Sequence, residues 1–98
     1  MRIEILAKAK EDLLDGYHFY ERQSPGLGNY FLDTLYSDID SLLIYAGIHQ
    51  IVYGKHRSLS NRFPYAIYYT VEQQTIRVRA VLDCRRDPSW IRRRLRKA

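Results

Sequence analysis

With one cysteine, three prolines and no long apolar run, this 98-residue sequence lacks most of the usual structural staples. Cys84 has no partner, which excludes an internal disulfide and a cysteine-rich zinc framework. No apolar stretch approaches the roughly 18 residues that argue for a membrane span. The opening residues, MRIEILAKAKED, turn charged at once and contain no signal-peptide core, so a cytoplasmic protein is expected. His18, His49 and His56 are scattered without ligand spacing, and neither a metal nor a cofactor is expected. Nucleophile elbows and phosphate loops are missing too, since the GLG of Gly26–Gly28 falls at a helix start. The length suits a single domain over residues 1–98 with a modest core. No repeat, low-complexity stretch or linker divides it.

Positive charge is what the chain has in excess, and it is unevenly placed. There are 16 Lys+Arg against 11 Asp+Glu, a net charge of +5. The last seventeen residues, LDCRRDPSWIRRRLRKA, hold seven basic and two acidic side chains, so the whole net charge sits in this tail. Residues 1–50 carry 4 basic and 8 acidic side chains and residues 51–98 carry 12 and 3, a split of −4 and +9. Such asymmetry points to a basic face that meets an anionic partner, either nucleic acid or acidic protein.

Hydrophobic periodicity supplies the elements. RIEIL alternates and predicts a short strand over Arg2–Leu6. Leu6, Ala9, Leu13, Tyr17 and Tyr20 recur at helical spacing and predict a helix from about Ala7 to Arg22. Ser24 suits an N-cap and Pro25 a first helical position, so a second helix is expected from there, with Leu27, Phe31, Leu35, Ile39, Leu42 and Ala46 as its stripe and Gly47 as its stop. Asp33, Asp38 and Asp40 turn away from that stripe. The period then drops to two. Phe63, Tyr65, Ile67, Tyr69 and Val71 share one face of a strand, and Ile76, Val78, Ala80 and Leu82 one face of the next, across a turn at Glu72–Gln74. Val52–Ser60 is a further strand, and Asp87 and Pro88 start a short basic terminal helix. The expected fold is α+β. A short N-terminal strand and an antiparallel helical hairpin pack on a twisted, mainly antiparallel sheet of about four strands, one face of which is left to solvent or a partner.

On that open face Tyr68 would lie near Lys55, Arg57, Arg77 and Arg79, an aromatic among cations of the kind that contacts phosphates and stacks bases. The plainer reading is that outward positions are simply polar. In the tail, Arg92, Arg93, Arg94 and Arg96 are tolerated near a helix C-terminus by its dipole. Arg85 and Arg86 precede the helix, at the end of the last strand, where a guanidinium is well placed to recognise carboxylate or phosphate.

FPYAIYYTV followed by TIRVRAVLDCRRDPSW resembles the bacterial RelE/ParE superfamily of type II toxin–antitoxin toxins, also called plasmid stabilization proteins. AKEDLLDGYHFYERQSPGLGNYFLDTL is similar to the family's helical hairpin, so the resemblance spans nearly the whole chain. It implies a small toxin held by a cognate antitoxin, a small, acidic and partly disordered protein. Two activities divide the superfamily: RelE-like members cleave mRNA on the ribosome, and ParE-like members inhibit DNA gyrase without catalysis. RNA cleavage needs a base, a stabiliser for the phosphorane and an acid for the leaving oxygen. RelE-like ribonucleases resemble one another in an Arg after the tyrosine that opens the third strand, a position held here by Ala66. Lys55 and Arg57 stand where the ribonuclease basic pair is expected, and Arg85 where its strand-end Arg is. The later tyrosine is replaced by Trp90 or Ile91, and the general-acid His of related RRDP members by Leu82 or Asp83.

The resemblance therefore favours a noncatalytic ParE-like toxin. The alternatives are a ribosome-dependent mRNA endoribonuclease using Lys55, Arg57 and Arg85, and an inactive module that only binds antitoxin. Antitoxin or target contacts are expected at the groove between the helix pair and the sheet and at Arg85, Arg86, Trp90, Arg93 and Arg94, with Tyr68, Arg77 and Arg79 on the sheet.

Overall fold

A computed structural model describes residues 1–98 throughout. In chain order the elements are β1 (Arg2–Ile5), α1 (Ala7–Gln23), α2 (Leu27–Asp40), α3 (Leu42–Tyr45), β2 (Ile51–Val52), β3 (Lys55–Leu59), β4 (Tyr65–Glu72), β5 (Thr75–Asp83) and α4 (Pro88–Lys97). One mixed sheet runs in the order β1-β5-β4-β3-β2, with β1 parallel to β5 and all other neighbours antiparallel. This is the expected α+β arrangement with one more strand. The extra strand arises at Tyr53 and Gly54, whose φ values of 51° and 79° turn the chain through two consecutive left-handed residues. Val52–Ser60, expected as one strand, is thereby divided into a hairpin that pairs Ile51 with His56 and Val52 with Lys55.

The helical hairpin differs from expectation at its joint. Ser24 ends α1 instead of capping α2, and the cap of α2 is Gly26 at φ 90°. A tight reversal between two helices requires a left-handed residue, which a β-carbon disfavours. Glu21, still on α1, supplies the missing cap: its carboxylate accepts from the amides of Gly26 (3.1 Å) and Gly28 (2.9 Å). Close approach of the two helices is reciprocal. A β-carbon at Gly16 would sit 2.5 Å from the Phe31 ring, and one at Gly28 2.7 Å from that of Tyr17, so each helix offers a glycine to the other's aromatic. Helix α2 ends at Asp40 instead of running to Gly47, and the chain continues as the single turn α3. Ser41 Oγ bonds back to the Asp38 carbonyl at 2.6 Å, a local alternative to the helical ladder. Asp33 and Asp40 are exposed as expected, whereas Asp38 is half-buried.

Between β4 and β5 the register slips. Tyr68 pairs with Ala80 and Tyr69 with Val78, so Arg79 is an extra residue, a β-bulge. A one-residue slip exchanges the faces of everything beyond it. Ile76 and Val78 face the helices, but Ala80 and Leu82 turn to the opposite face, and Val81 takes their place in the main core with Phe31, Leu35, Tyr65 and Tyr69. The expectation that Ile76 through Leu82 share one face is corrected by this bulge. Apolar residues now line both faces, so the second face cannot stay open. Helix α4 closes it, seating Leu95 among Ala66, Tyr68, Ala80 and Leu82, with Trp90, Ile91 and Val52 at the margin. Its start matches the sequence reading: Asp87 accepts from the Ser89 amide at 2.8 Å, and Pro88 opens the helix.

Tyr69 is fully buried, yet its hydroxyl is doubly engaged. It accepts the Gly47 amide at 2.9 Å and lies 2.5 Å from His49 Nδ1, while the His56 ring stacks on its face. The Gly47 amide takes one lone pair of this oxygen, and the phenolic proton can bond His49 Nδ1 when that imidazole is neutral. Burial, with His56 adding to it, lowers the His49 pKa.

Two outcomes follow. Leu95→Ala, at a site with no exposed surface, is expected to cost about 2–5 kcal/mol in urea unfolding, against under about 1 kcal/mol for a surface arginine of the same helix such as Arg92→Ala. A histidine whose folded pKa lies below its unfolded value is protonated more readily when unfolded, so its contribution is complete above about pH 6.5 and is lost as pH falls through and below that value. The midpoint temperature should accordingly fall between neutral pH and about pH 5.5, and His49→Gln, which keeps an acceptor for Tyr69, should flatten that slope.

Candidate functional site

Sorting the basic residues by what they touch separates structural from available charge. Arg77 reaches Glu4 (3.1 Å) and also pairs with Glu72, and Arg79 bonds Glu72 (2.8 Å) and Thr70 Oγ1 (2.9 Å). Both were expected to stand open on the sheet, but carboxylates on β1 and β4 occupy them. Tyr68, expected beside them on an open face, is 3% exposed because α4 covers it. Lys55 donates to the Leu95 carbonyl at 2.8 Å, a cation at the negative end of α4. Burial, with Arg79 adding to it, lowers its pKa. Arg57 lies across from Tyr68 in the β3–β4 register.

At the end of β5, Arg85 is folded back on Asp83 through three bonds: its amide to Oδ1 (2.8 Å), Nε to Oδ1 (3.0 Å) and Nη2 to Oδ2 (2.8 Å). Burial works to raise the Asp83 pKa, and the bonds from Arg85 outweigh it and hold the carboxyl below its usual range. The next residue is differently engaged. Arg86 lays its guanidinium 4.1 Å over the Trp90 ring, which leaves its donors directed outward. Arg92, Arg93, Arg96 and Lys97 are exposed along α4, and of these only Arg93 has a side-chain partner, Ser89 Oγ at 3.5 Å. Arg94, grouped with them in the sequence reading, turns inward to the Asp12 carboxylate.

Asp12 is the residue on which this region converges. Strand β1 covers β5 only as far as Val78, so the next part of that edge lacks a strand partner. Asp12 fills the gap from α1, accepting the Val81 amide at 3.0 Å as a strand carbonyl would, and its carboxylate also receives Arg94. Burial pushes its pKa up against those two bonds. One side chain thus joins α1, β5 and α4.

A cleft of about 540 Å³ opens beside this junction. Asp12, Asp15, Phe19 and Arg22 of α1 form one wall, Tyr65, Val81 and Asp83 the floor, and Arg86 and Trp90 the other wall. The Tyr65 hydroxyl in the floor is pushed up to about 12 by burial and by Asp83, and so stays protonated. Carboxylates on one wall and a stacked guanidinium on the other, over an aromatic floor, suit a peptide segment that carries both apolar and charged side chains. Of the expected site residues, the structure brings Arg86 and Trp90 to this cleft and Arg85 to its rim beside Asp83. A groove between the helix pair and the sheet was expected to take part, but none of its α1 side chains was singled out. Their signal is a second helical row, Asp12, Asp15, Phe19 and Arg22, spaced three and four apart and flanking the apolar stripe.

The sequence matches the family model for the ParE toxin of the type II toxin–antitoxin system parDE over residues 3–88. Among solved structures the fold is similar to a chain of the chromosomal ParDE toxin–antitoxin system from P. aeruginosa. The TM-score is 0.75 at 20% identity, with 83% of this chain and 92% of that chain covered, so this likeness concerns the fold alone. No curated protein matches the chain by sequence.

Removing Asp12 tests the junction. Asp12→Ala leaves the Val81 amide without an acceptor and Arg94 without a counter-charge, and is expected to cost about 3 kcal/mol in chemical denaturation. Asp12→Asn keeps the acceptor for Val81 and should lose less than half as much.

Proposed function

The chain belongs to the ParE toxin family of type II toxin–antitoxin systems, and from that premise we propose that it is a noncatalytic toxin, acting in the bacterial cytoplasm on DNA gyrase and neutralised by a cognate antitoxin. The observation that carries the noncatalytic reading is the use made of the side chains a ribonuclease would need. Lys55 caps α4, Arg85 is locked on Asp83, and Ala66 is fully enclosed where the resemblance would call for a phosphorane-stabilising Arg. Trp90, in place of a proton-donating tyrosine, serves as a platform for Arg86. These four are committed to holding the fold or shaping the cleft, which leaves Arg57 alone of the expected ribonuclease set.

The antitoxin's expected chemistry suits the same surface. An acidic, partly disordered segment that orders on binding would set apolar side chains into the cleft against Phe19, Tyr65 and Trp90, and carboxylates against Arg86 and the exposed arginines of α4. Of the cleft's three carboxylates, Asp12 and Asp83 are already taken up by Arg94 and Arg85, which leaves only Asp15, on the exposed α1 rim, to oppose an acidic guest at full charge.

Purified protein tested for inhibition of gyrase supercoiling, beside an mRNA-cleavage assay on translating ribosomes, decides the target. Inhibition without cleavage is the expected outcome, and cleavage without inhibition would replace the gyrase reading by the ribonuclease one. Arg86→Ala should weaken antitoxin binding about tenfold in calorimetry, the scale of an interface arginine. The wild-type affinity should fall as salt rises. Unchanged affinity in both Arg86→Ala and Arg93→Ala would remove this face from the antitoxin contact.

A further inference from the structure

A long uncharged segment between α2 and β3 is not used by the reading above. From Ser41 to Gly54, SLLIYAGIHQIVYG, the chain contains no Asp, Glu, Lys or Arg. Six of its large side chains face solvent: Leu43 (52% exposed), Ile44 (78%), Tyr45 (51%), Ile48 (74%), Ile51 (60%) and Tyr53 (51%). At roughly 100 Å² apiece they present on the order of 600 Å², at the upper end for a monomer's largest apolar patch and close to the ~800 Å² that each partner contributes to a standard interface. The segment is held in place: the Tyr69 hydroxyl binds Gly47 and His49, and the Arg57 amide donates to the Gln50 carbonyl at 2.9 Å. It also contains an outer edge of the sheet, because β2 is last in the strand order.

The two sheet edges are built differently. Edge strand β1 carries exposed Arg2 and Glu4, charges of the kind that deter pairing with another chain. Edge strand β2 carries Ile51 and is flanked by Ile48 and Tyr53, with no charge, no proline and no covering element. We propose that this edge is a self-association surface, on which β2 and the apolar segment Leu43–Tyr53 of two copies meet about a two-fold axis and join their sheets. A second copy is the occupant that fits because the surface is uncharged and, about a two-fold, complementary to itself. An acidic partner would find no cation on it. With only two residues in β2, strand pairing sets the register, and the apolar side chains carry the association.

The charge distribution gives this association a signature opposite to that of antitoxin binding. Each copy carries +5, so two copies repel at a distance, and screening should tighten the dimer as salt rises. The full chain is examined by sedimentation equilibrium across the micromolar range at low and high salt. A monomer–dimer equilibrium that strengthens with salt is expected. Ile51→Lys and Ile44→Glu should each weaken it at least about tenfold, whereas Leu59→Lys, an exposed apolar residue at the far end of β3, should leave it unchanged. Far-UV circular dichroism and a thermal melt establish that each variant folds, and because both test residues are exposed, little loss of stability is expected. A wild-type protein that is monomeric throughout would overturn the proposal, as would dimers that survive both substitutions, equal weakening by Leu59→Lys, or growth beyond the dimer.

Discussion

Arg79 is one residue more than the β4–β5 ladder has room for, and the rest of the architecture answers to that surplus. With regular pairing, β5 would show one apolar and one polar face throughout, and a helical hairpin on one side would complete the fold. The bulge turns Ala80 and Leu82 outward with Ala66 and Tyr68, and creates a second apolar surface that water would otherwise cover. Helix α4 is the cover. Its amphipathic character follows from that duty: Leu95 is buried, Trp90 and Ile91 lie at the margin, and four of the arginines and lysines remain outside. Holding α4 down by apolar contact alone would leave a short ten-residue helix weakly placed. Lys55 at its C-terminal end and Asp12, through Arg94, in its last turns supply the polar anchors.

Asp12 shows how one side chain can serve a backbone need and a packing need together. Because β1 is only four residues long, the β5 edge beyond Val78 would face the α1 flank with an unpaired amide at Val81. Leaving such a group unsatisfied costs on the order of 1–3 kcal/mol, which a carboxylate from the adjacent helix avoids. The half-buried charge this creates is in turn compensated by Arg94. That is why one arginine of the run Arg92–Arg94 turns inward while its neighbours stay in water. The cleft lies next to this arrangement because α1 has to pass close to β5 for Asp12 to reach it, while the β5–α4 connection, turning at Arg85 and Arg86, opens away from α1.

The sequence disclosed the elements of this fold better than their faces. Element types and order follow from periodicity that local chemistry supports, as at Asp87–Pro88 or in the stripe through Phe31, Leu35 and Ile39. What remained hidden depends on partners distant in the chain. A bulge leaves no mark in the alternation of TIRVRAVLD, since Val81 and Leu82 are both apolar and either reads as inward. The Tyr53–Gly54 turn has left-handed geometry with a tyrosine where asparagine or aspartate is usual, so the turn signal was weak. Glu21 as the cap of the following helix was hidden because it lies on the preceding one. For the site, Arg86 and Trp90 could be picked out from the strand–helix junction alone. Tyr68 lies on the expected face but α4 covers it, and Arg77 and Arg79 are taken up by Glu4 and Glu72, carboxylates on neighbouring strands that the alternation does not reveal.

These assignments pick out two groups among the basic residues with different consequences. Arg77, Arg79, Lys55, Arg85 and Arg94 have carboxylate or carbonyl partners inside the chain, and their charge is largely spent there. Arg86, Arg92, Arg93, Arg96 and Lys97 do not, and they cluster at the β5–α4 junction and along one helix. A net charge of +5 is thus concentrated on a small surface next to a cleft with an apolar floor, where an acidic segment gains both Coulomb attraction and burial. The uncharged edge at β2 offers burial alone. A partner selected by charge and one selected by shape and apolarity would therefore engage different side chains of the same 98-residue chain.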